Sequence, residues 1–332
     1  MAREWSYWTS NKLQILGDYI PAFNTASKRS EERLYLDLMA GRPENVQRLT
    51  GEVIDGSPRR VLSAAPGFTR HYFFELPSNA GELDAVLRKD FPLKNFRVVS
   101  GDCNRTIDGV LAELRDFRWA PTFVFIDQQA AEVEWETLVK LARFKGEGAK
   151  TKPELWLLVS PAFVARGVGG RKSHAFREKV TRFYGTCNWL NIQEAREARE
   201  ISGEEYRDEM VNLIRHQLAE RLGYKFTQRI PMRMTNKSTI YDMVFAGDHD
   251  VGDKIMQHLY NKAAEREPEM MAEACRLKAL QQEEQSGKFA LFDLPPVTPQ
   301  VKVDKLWRPT SYWQPGTRKW WTERDRGLGA RP

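Results

Sequence analysis

No stretch of this chain comes near the roughly 18–20 consecutive apolar residues that a membrane-spanning helix needs. A helical membrane protein is therefore not expected. The first residues, Met-Ala-Arg-Glu-Trp-Ser-Tyr-Trp, contain no apolar core of the kind a secretory signal requires, so no such signal is expected either. Cysteine is scarce. Cys103, Cys187 and Cys275 lie far apart, with neither metal-ligand spacing nor a disulfide framework. No metal site is expected, and a reduced, cytoplasmic setting fits best. Internal repeats are absent. Net charge is nearly absent from the body: the whole chain carries +6, but residues 301–332 hold eight basic and three acidic side chains, a net +5, which leaves +1 for the first 300. A basic tail of that kind suggests an acidic partner such as nucleic acid, or a solvated tail. What remains is ordinary globular composition, and 332 residues suffice for one large domain with additions.

The organising stretch is Leu34–Arg42, Leu-Tyr-Leu-Asp-Leu-Met-Ala-Gly-Arg. Leu34–Met39 reads as a buried strand ending in small residues. Asp37 interrupts it, and a carboxylate near the end of a buried parallel strand is costly unless something binds it. Ligands of doubly wound sheets sit outside the carboxyl ends of the strands. Asp37, Ala40 and Gly41 are therefore candidate small-molecule residues. An ordinary strand-to-loop turn, with Asp37 satisfied by backbone amides, is the other reading.

Around that strand the pattern alternates. Helical spacing covers Thr9–Thr25. A loop runs from Gly41 to Gly56, and Ser57-Pro58 signals a helix start with Ser57 as N-cap. Strands are expected at His71–Leu76, Phe96–Ser100, Thr122–Ile126 and Leu155–Val159. Helices are expected at Asn79–Lys89, Thr106–Phe117 and Val133–Phe144. Such alternation argues for a parallel α/β sheet. Beyond it, Arg171–Tyr184 and Gly203–Leu222 read as helices joined by a polar loop. Phe226–Met234 and Thr239–Ala246 read as an antiparallel hairpin, and Gly252–Gln282 as a long helix. The domain boundary is placed near Gly287: a domain over 1–286, then an extended tail over 287–332.

Four of the first strands end at or near a carboxylate: Asp37, Glu75, Asp102 and Asp127. In a nucleoside-binding sheet the first turn meets the ligand's polar tail, and an acid ending the second strand accepts from ribose hydroxyls. A third acid reaches the base, and the residues after the fourth strand face the reacting atom. Acids are common where strands meet water, but four in this succession, with Gly101 before the third, point to an S-adenosylmethionine-dependent methyltransferase fold. Asp37, Ala40, Gly41, Glu75, Gly101, Asp102 and Cys103 are the cofactor-binding candidates. Asp127 and Gln128 are the candidates for orienting the acceptor.

The chain also resembles the three-Cys-motif partner protein family. The matching segments are Lys12-Leu13-Gln14-Ile15-Leu16 with Tyr19-Ile20, Tyr35-Leu36-Asp37-Leu38-Met39-Ala40-Gly41, Gly51–Pro58, and Gly101-Asp102-Cys103-Asn104. Asp127 with Trp135-Glu136-Thr137, Arg182-Phe183-Tyr184-Gly185, Ile230-Pro231-Met232-Arg233 and Phe245-Ala246 complete them, covering about residues 8–265. The resemblance implies a mostly parallel, doubly wound seven-stranded sheet of the methyltransferase (Rossmann-like) type, with a C-terminal strand hairpin and a helical extension. It also implies a radical-S-adenosylmethionine-type partner that itself carries the three-Cys motif. Two departures stand out. Arg42-Pro43-Glu44 follows Gly41 where similar proteins have a second glycine, and Arg and Pro lack glycine's freedom at positive φ. Asp127-Gln128-Gln129-Ala130 stands where relatives commonly read Asp-Pro-x-Gly. A non-catalytic scaffold or nucleic-acid-binding subunit on a degenerate methyltransferase fold is the alternative that these departures support.

In the tail, Trp307, Tyr312, Trp313, Trp320 and Trp321 interleave with Lys305, Arg308, Arg318 and Lys319. Basic groups neutralise phosphates and aromatic rings stack on unpaired bases. The same rings serve equally well as anchors on a protein partner, or pack into this chain's own core. Lys305, Trp307, Arg308, Trp313, Arg318, Lys319, Trp320 and Trp321, with Arg59 and Arg233 in the body, are the candidates for binding DNA, RNA or a partner.

Overall fold

In the computed structural model, residues 3–5, 7–47, 51–168, 173–286 and 307–324 are described. Five parallel strands form the sheet's frame: β2 (Leu34–Asp37), β5 (Arg70–Glu75), β6 (Phe96–Ser100), β7 (Thr122–Ile126) and β8 (Glu154–Val159). The hairpin β9 (Phe226–Arg233) and β10 (Thr239–Gly247) completes it, with β10 antiparallel to both β8 and β9. The spatial order is β6-β5-β2-β7-β8-β10-β9. Counted along the chain within this sheet, that is third, second, first, fourth, fifth, seventh, sixth. The order reverses between β2 and β7, the place where doubly wound sheets open a crevice.

The alternation of side chains explains the two cores. Leu34, Leu36, Val124, Ile126, Leu155 and Leu157 point to one face. There they meet α4 (Cys103–Glu113), α5 (Trp135–Arg143), α6 (Pro161–Val168), α7 (Ser173–Tyr184), α8 (Trp189–Glu197) and α9 (Gly203–Glu220). Tyr35, Phe73, Phe123, Phe125, Trp156 and Leu158 point to the other. They meet α1 (Tyr7–Ala26), α2 (Ser57–Ser63), α3 (Pro77–Asp90) and α10 (Asp250–Ser286). Both faces of the central strands are buried, so they read as unbroken apolar runs.

Three expectations are corrected. The loop after Gly41 holds two strands, β3 (Glu44–Gln47) and β4 (Val53–Asp55), in a small sheet with β1 (Arg3–Trp5). These strands are three or four residues long, too short for a readable period. Ser57 is not the N-cap of α2: Gly56 holds that position, and the Ser57 hydroxyl turns inward to Asp37. The stretch between Tyr184 and Gly203, read as a polar loop, contains α8, whose buried set includes Asn191 and Gln193. The expected boundary at Gly287 lies outside the described residues, as does Arg171. Among the described residues, no helix is long and apolar enough to cross a membrane.

Candidate functional site

At the carboxyl ends of β2, β5, β6, β7 and β8 lies a cleft of about 1040 Å³. The turn after β2 forms one wall. Gly41 adopts φ +67°, a conformation that disfavours any side chain, and its amide donates to Glu75 Oε2 at 2.7 Å. Glu75, at the end of β5, also accepts from the Leu76 amide at 3.0 Å and from Asn79 Nδ2 at 3.1 Å. The first two strand ends are thus tied together by a carboxylate that lines the cleft.

The third strand end follows. Gly101 has φ +140°, and a Cβ there would stand 2.8 Å from Thr106 Cγ2, so only glycine fits. Asp102 is the N-cap of α4 and accepts from the Asn104 amide and side chain, both at 2.9 Å. Cys103 is buried, and burial pushes its thiol up to about 12, which makes it an inert lining group. Ala40, Gly41, Glu75, Gly101, Asp102 and Cys103 therefore meet along one wall of the cleft.

Asp37 does not join them. It is fully buried behind the wall and does not line the cleft. Ser57 Oγ donates to it at 2.6 Å, Tyr35 Oη at 3.2 Å and the Met39 amide at 3.3 Å. Burial pushes its carboxyl up to about 7; the Asp127 charge adds to that, while the hydrogen bonds oppose it. The expectation that Asp37 touches a ligand is corrected: alternation along β2 turns it toward α2, where it anchors the turn.

The opposite wall comes from β7 and α1. Asp127 faces Lys12 Nζ at 2.5 Å, and Lys12 lies over the Tyr241 ring, 5.6 Å from its centroid. Lys12 is buried while Asp127 remains a quarter exposed, so the pair presents mainly its carboxylate to the cleft. Gln128 also borders the cleft, but its amide is committed elsewhere. Its Nε2 donates to the Leu158 carbonyl at 2.9 Å and its Oε1 accepts from the Val133 amide at 3.0 Å, with only 1% of the residue exposed. Both ends of the amide expected to orient an acceptor are thus engaged in bracing the loop. Glu132 completes that loop, accepting from the Gln129 and Ala130 amides and from Lys179 Nζ. Burial works against its charge, yet these donors hold its carboxyl below the usual range.

Sequence reasoning missed Lys12, Tyr241 and Glu132 as site residues. Lys12 carried a signal: a lysine among the apolar positions of a helix needs an anion to be buried.

The remaining candidates lie elsewhere. Arg59 pairs with Glu44 and with Asp90 at 2.5 Å, so its charge is met within the chain. Arg233 pairs with Glu267 at 2.7 Å. Lys305 lies outside the described residues. The tail from Trp307 on is not a free arm. The Trp307 indole donates to the Arg229 carbonyl at 2.7 Å, and the Trp313 indole to Glu209 Oε2 at 3.0 Å. Arg318 pairs with Glu209 at 2.6 Å, and Trp320 and Trp321 pack against the core. Arg308 and Lys319 alone of the described tail candidates are exposed without an ion pair among the described residues. None of the described residues among these lines the cleft.

Among the described residues no cluster of side chains could hold a metal ion. The strand order, the antiparallel seventh strand and the cleft at the switch point define a methyltransferase-like, doubly wound α/β protein. Comparison with protein-family models and with curated protein sequences finds no match. Similar solved structures include the following two. M. jannaschii TYW2, in complex with AdoMet, shares 13% identity over 68% of this chain and 75% of that one, with a TM-score of 0.32. A dimethyladenosine transferase from Plasmodium falciparum shares 9% identity over 82% and 81%, with a TM-score of 0.31. The class stands on the strand order.

Proposed function

We propose that this chain binds S-adenosylmethionine in the β2–β5–β6 half of the cleft and holds a methyl acceptor in the half walled by α1, β7 and β10. The observation that carries the reading is the Gly41–Glu75 tie across the first two strand ends. A carboxylate has about four lone-pair sites. Three donors engage Glu75, which leaves capacity for a ribose hydroxyl. At Gly41 a Cβ would meet nothing nearer than 4.0 Å, so backbone there is open to close approach. Drug-sized ligands occupy roughly 300–1,000 Å³. A cleft of about 1040 Å³ therefore has room for the cofactor and part of an acceptor.

Glu75 holds the ribose, the Gly101–Cys103 turn flanks the adenine, and the backbone at Ala40 and Gly41 meets the amino-acid end. When bound, S-adenosylmethionine supplies an electrophilic methyl group. The Asp127 carboxylate, steadied by Lys12, accepts a hydrogen bond from an acceptor N–H and orients its nitrogen. Alignment supplies much of the rate of such a transfer. Isothermal titration with S-adenosylmethionine and its demethylated product tests the proposal. Binding that disappears in Glu75→Ala supports it; no binding of either compound at millimolar concentration ends it.

The family resemblance adds a radical-S-adenosylmethionine-type protein carrying the three-Cys motif as the partner, and the chain's excess of basic groups supports a nucleic acid as the bearer of the acceptor. Co-purification of the tagged chain with that protein tests the partnership separately. The engagement of Gln128 favours a second reading, a scaffold that binds the cofactor without turnover. Titratable binding with no methyl transfer in the presence of that partner would select it.

A further inference from the structure

The tail that looks in sequence like a nucleic-acid arm has its indoles turned inward. At the opposite end of the sheet from the cleft, the reverse holds. The segments preceding β7 and β8 meet there and form a shallow depression of about 510 Å³, lined by Arg115, Arg118, Trp119, Lys145 and Lys150, with Asp116 as its one acid. These segments enter parallel strands at their amino ends, so the depression and the cleft are separated by the length of the sheet.

The exposed aromatic in it is unusual for this chain. Trp119 leaves 56% of its surface in solvent, whereas the described tail tryptophans are partly buried. Its indole N–H donates to the Asp116 carbonyl at 3.1 Å. That bond pins the ring through its only polar atom. What the ring still offers is a flat apolar face held in one orientation, which suits stacking rather than hydrogen bonding. Arg115 and Arg118 flank it from the 3-10 turn Leu114–Phe117 and its cap. Side chains three apart in such a turn eclipse one another, so the two guanidiniums rise on one side. Both are exposed, and neither they nor Lys150 make an ion pair among the described residues. Lys145 stands deeper. Burial pushes its ammonium below the usual range, while Glu154 and Asp248 counter that in part.

We propose that Trp119, Arg115, Arg118, Lys145 and Lys150 form a second binding site, for single-stranded nucleic acid, with bases stacking on the Trp119 ring and phosphates lying against the four cations. A protein anchor site would engage the indole N–H across an interface, and here that group is engaged within the chain. A duplex surface needs cations alone, and the pinned ring would add nothing to it. Unpaired bases use both features. Because the site lies at the far end of the sheet, it retains a strand remote from whatever the cleft holds, and it does not depend on methyl transfer.

The test is fluorescence anisotropy of labelled oligothymidylate and oligouridylate on the full chain, over a range of salt, with competition by polyglutamate and by duplex. Arg115→Glu with Arg118→Glu should weaken binding at least tenfold and reduce the salt slope by about 0.7 for each phosphate contact removed. Trp119→Ala should weaken single-strand binding roughly tenfold and leave duplex binding unchanged. Arg308→Glu with Lys319→Glu, in the exposed part of the tail, should change neither. The five substituted residues are all exposed, so an unchanged melting temperature verifies the fold of each variant. Loss of binding in the tail variant but not in the Arg115/Arg118 variant would overturn the inference. So would equal displacement by polyglutamate at equal charge, or a duplex bound as tightly as a single strand.

Discussion

Asp127 and Gln128 are neighbours in sequence with opposite surroundings, and that difference separates their mutants. Gln128→Ala takes the side-chain acceptor from the buried Val133 amide and a side-chain donor from the Leu158 carbonyl, at a cost of about 1–3 kcal/mol. Thermal denaturation should show a clear fall in melting temperature. Asp127→Asn keeps the side chain's shape but takes the counter-charge from the buried Lys12 ammonium; it should therefore also lower the melting temperature, and of the two variants it is the one that should abolish any methyl transfer, measured with labelled cofactor. Asp37 makes a prediction about pH. Its carboxyl titrates near 7 in the folded chain against an ordinary 3.8, so the folded state holds the proton more tightly than the unfolded state. The resulting stabilisation is complete below about pH 4, shrinks as pH rises, and is gone above about pH 7. Glu154, buried against Tyr19 and raised to about 7, acts with the same sign. Denaturant titrations across that window should show wild-type stability falling with pH and a shallower fall in Asp37→Asn. An identical slope in the variant would refute the assignment.

At the scale of elements, residues 307–324 and the helices α8 and α9 depend on one another. Asn191 donates to the Thr322 carbonyl at 2.8 Å, and Asn188 Nδ2 to Glu323 at 2.7 Å. Buried Arg215 donates to both the hydroxyl and the carbonyl of Thr310. Glu209, itself buried, takes the Trp313 indole and Arg318 together. Removing that carboxylate strands an indole N–H and an arginine. Glu209→Ala should destabilise the chain by about 1–3 kcal/mol. Limited proteolysis should then cut within 307–324 far sooner than in wild type. Unchanged protection there would mean that the tryptophans alone hold the segment.

For the molecule as a whole, ligand binding and stability are linked. A ligand that binds only the folded state stabilises it by about 2.7 kcal/mol at a hundred times its dissociation constant. Saturating S-adenosylmethionine should therefore raise the melting temperature by a few degrees, and Glu75→Ala should remove that rise, with its own unliganded transition moderately below wild type. The partly exposed Glu75 accepts three hydrogen bonds, each worth about 0.5–1.5 kcal/mol. On the two proposals taken together, the ends of the sheet divide the labour: one crevice at the switch point for a small molecule, one basic aromatic face for a strand.

The sequence by itself determined the layered α/β class and the parallel strands, because apolar runs of this length, alternating with amphipathic helices, pack in few ways. It also placed Gly41, Glu75, Gly101 and Asp102 together along one cleft, since strand ends in such a sheet converge on one crevice. It did not decide which way Asp37 and Gln128 point, because that depends on the strand's register and on the groups waiting across the fold: Ser57 and Tyr35 for the first, Val133 and Leu158 for the second. Lys12 meets Asp127 across 115 positions of sequence, a pairing that only the packing of α1 on β7 creates. The polar run holding α8 became a helix because the tail's backbone and acids satisfy its asparagines. The tail's tryptophans turned inward for the complementary reason, and that left Trp119, ordinary in sequence, as an exposed ring among basic side chains.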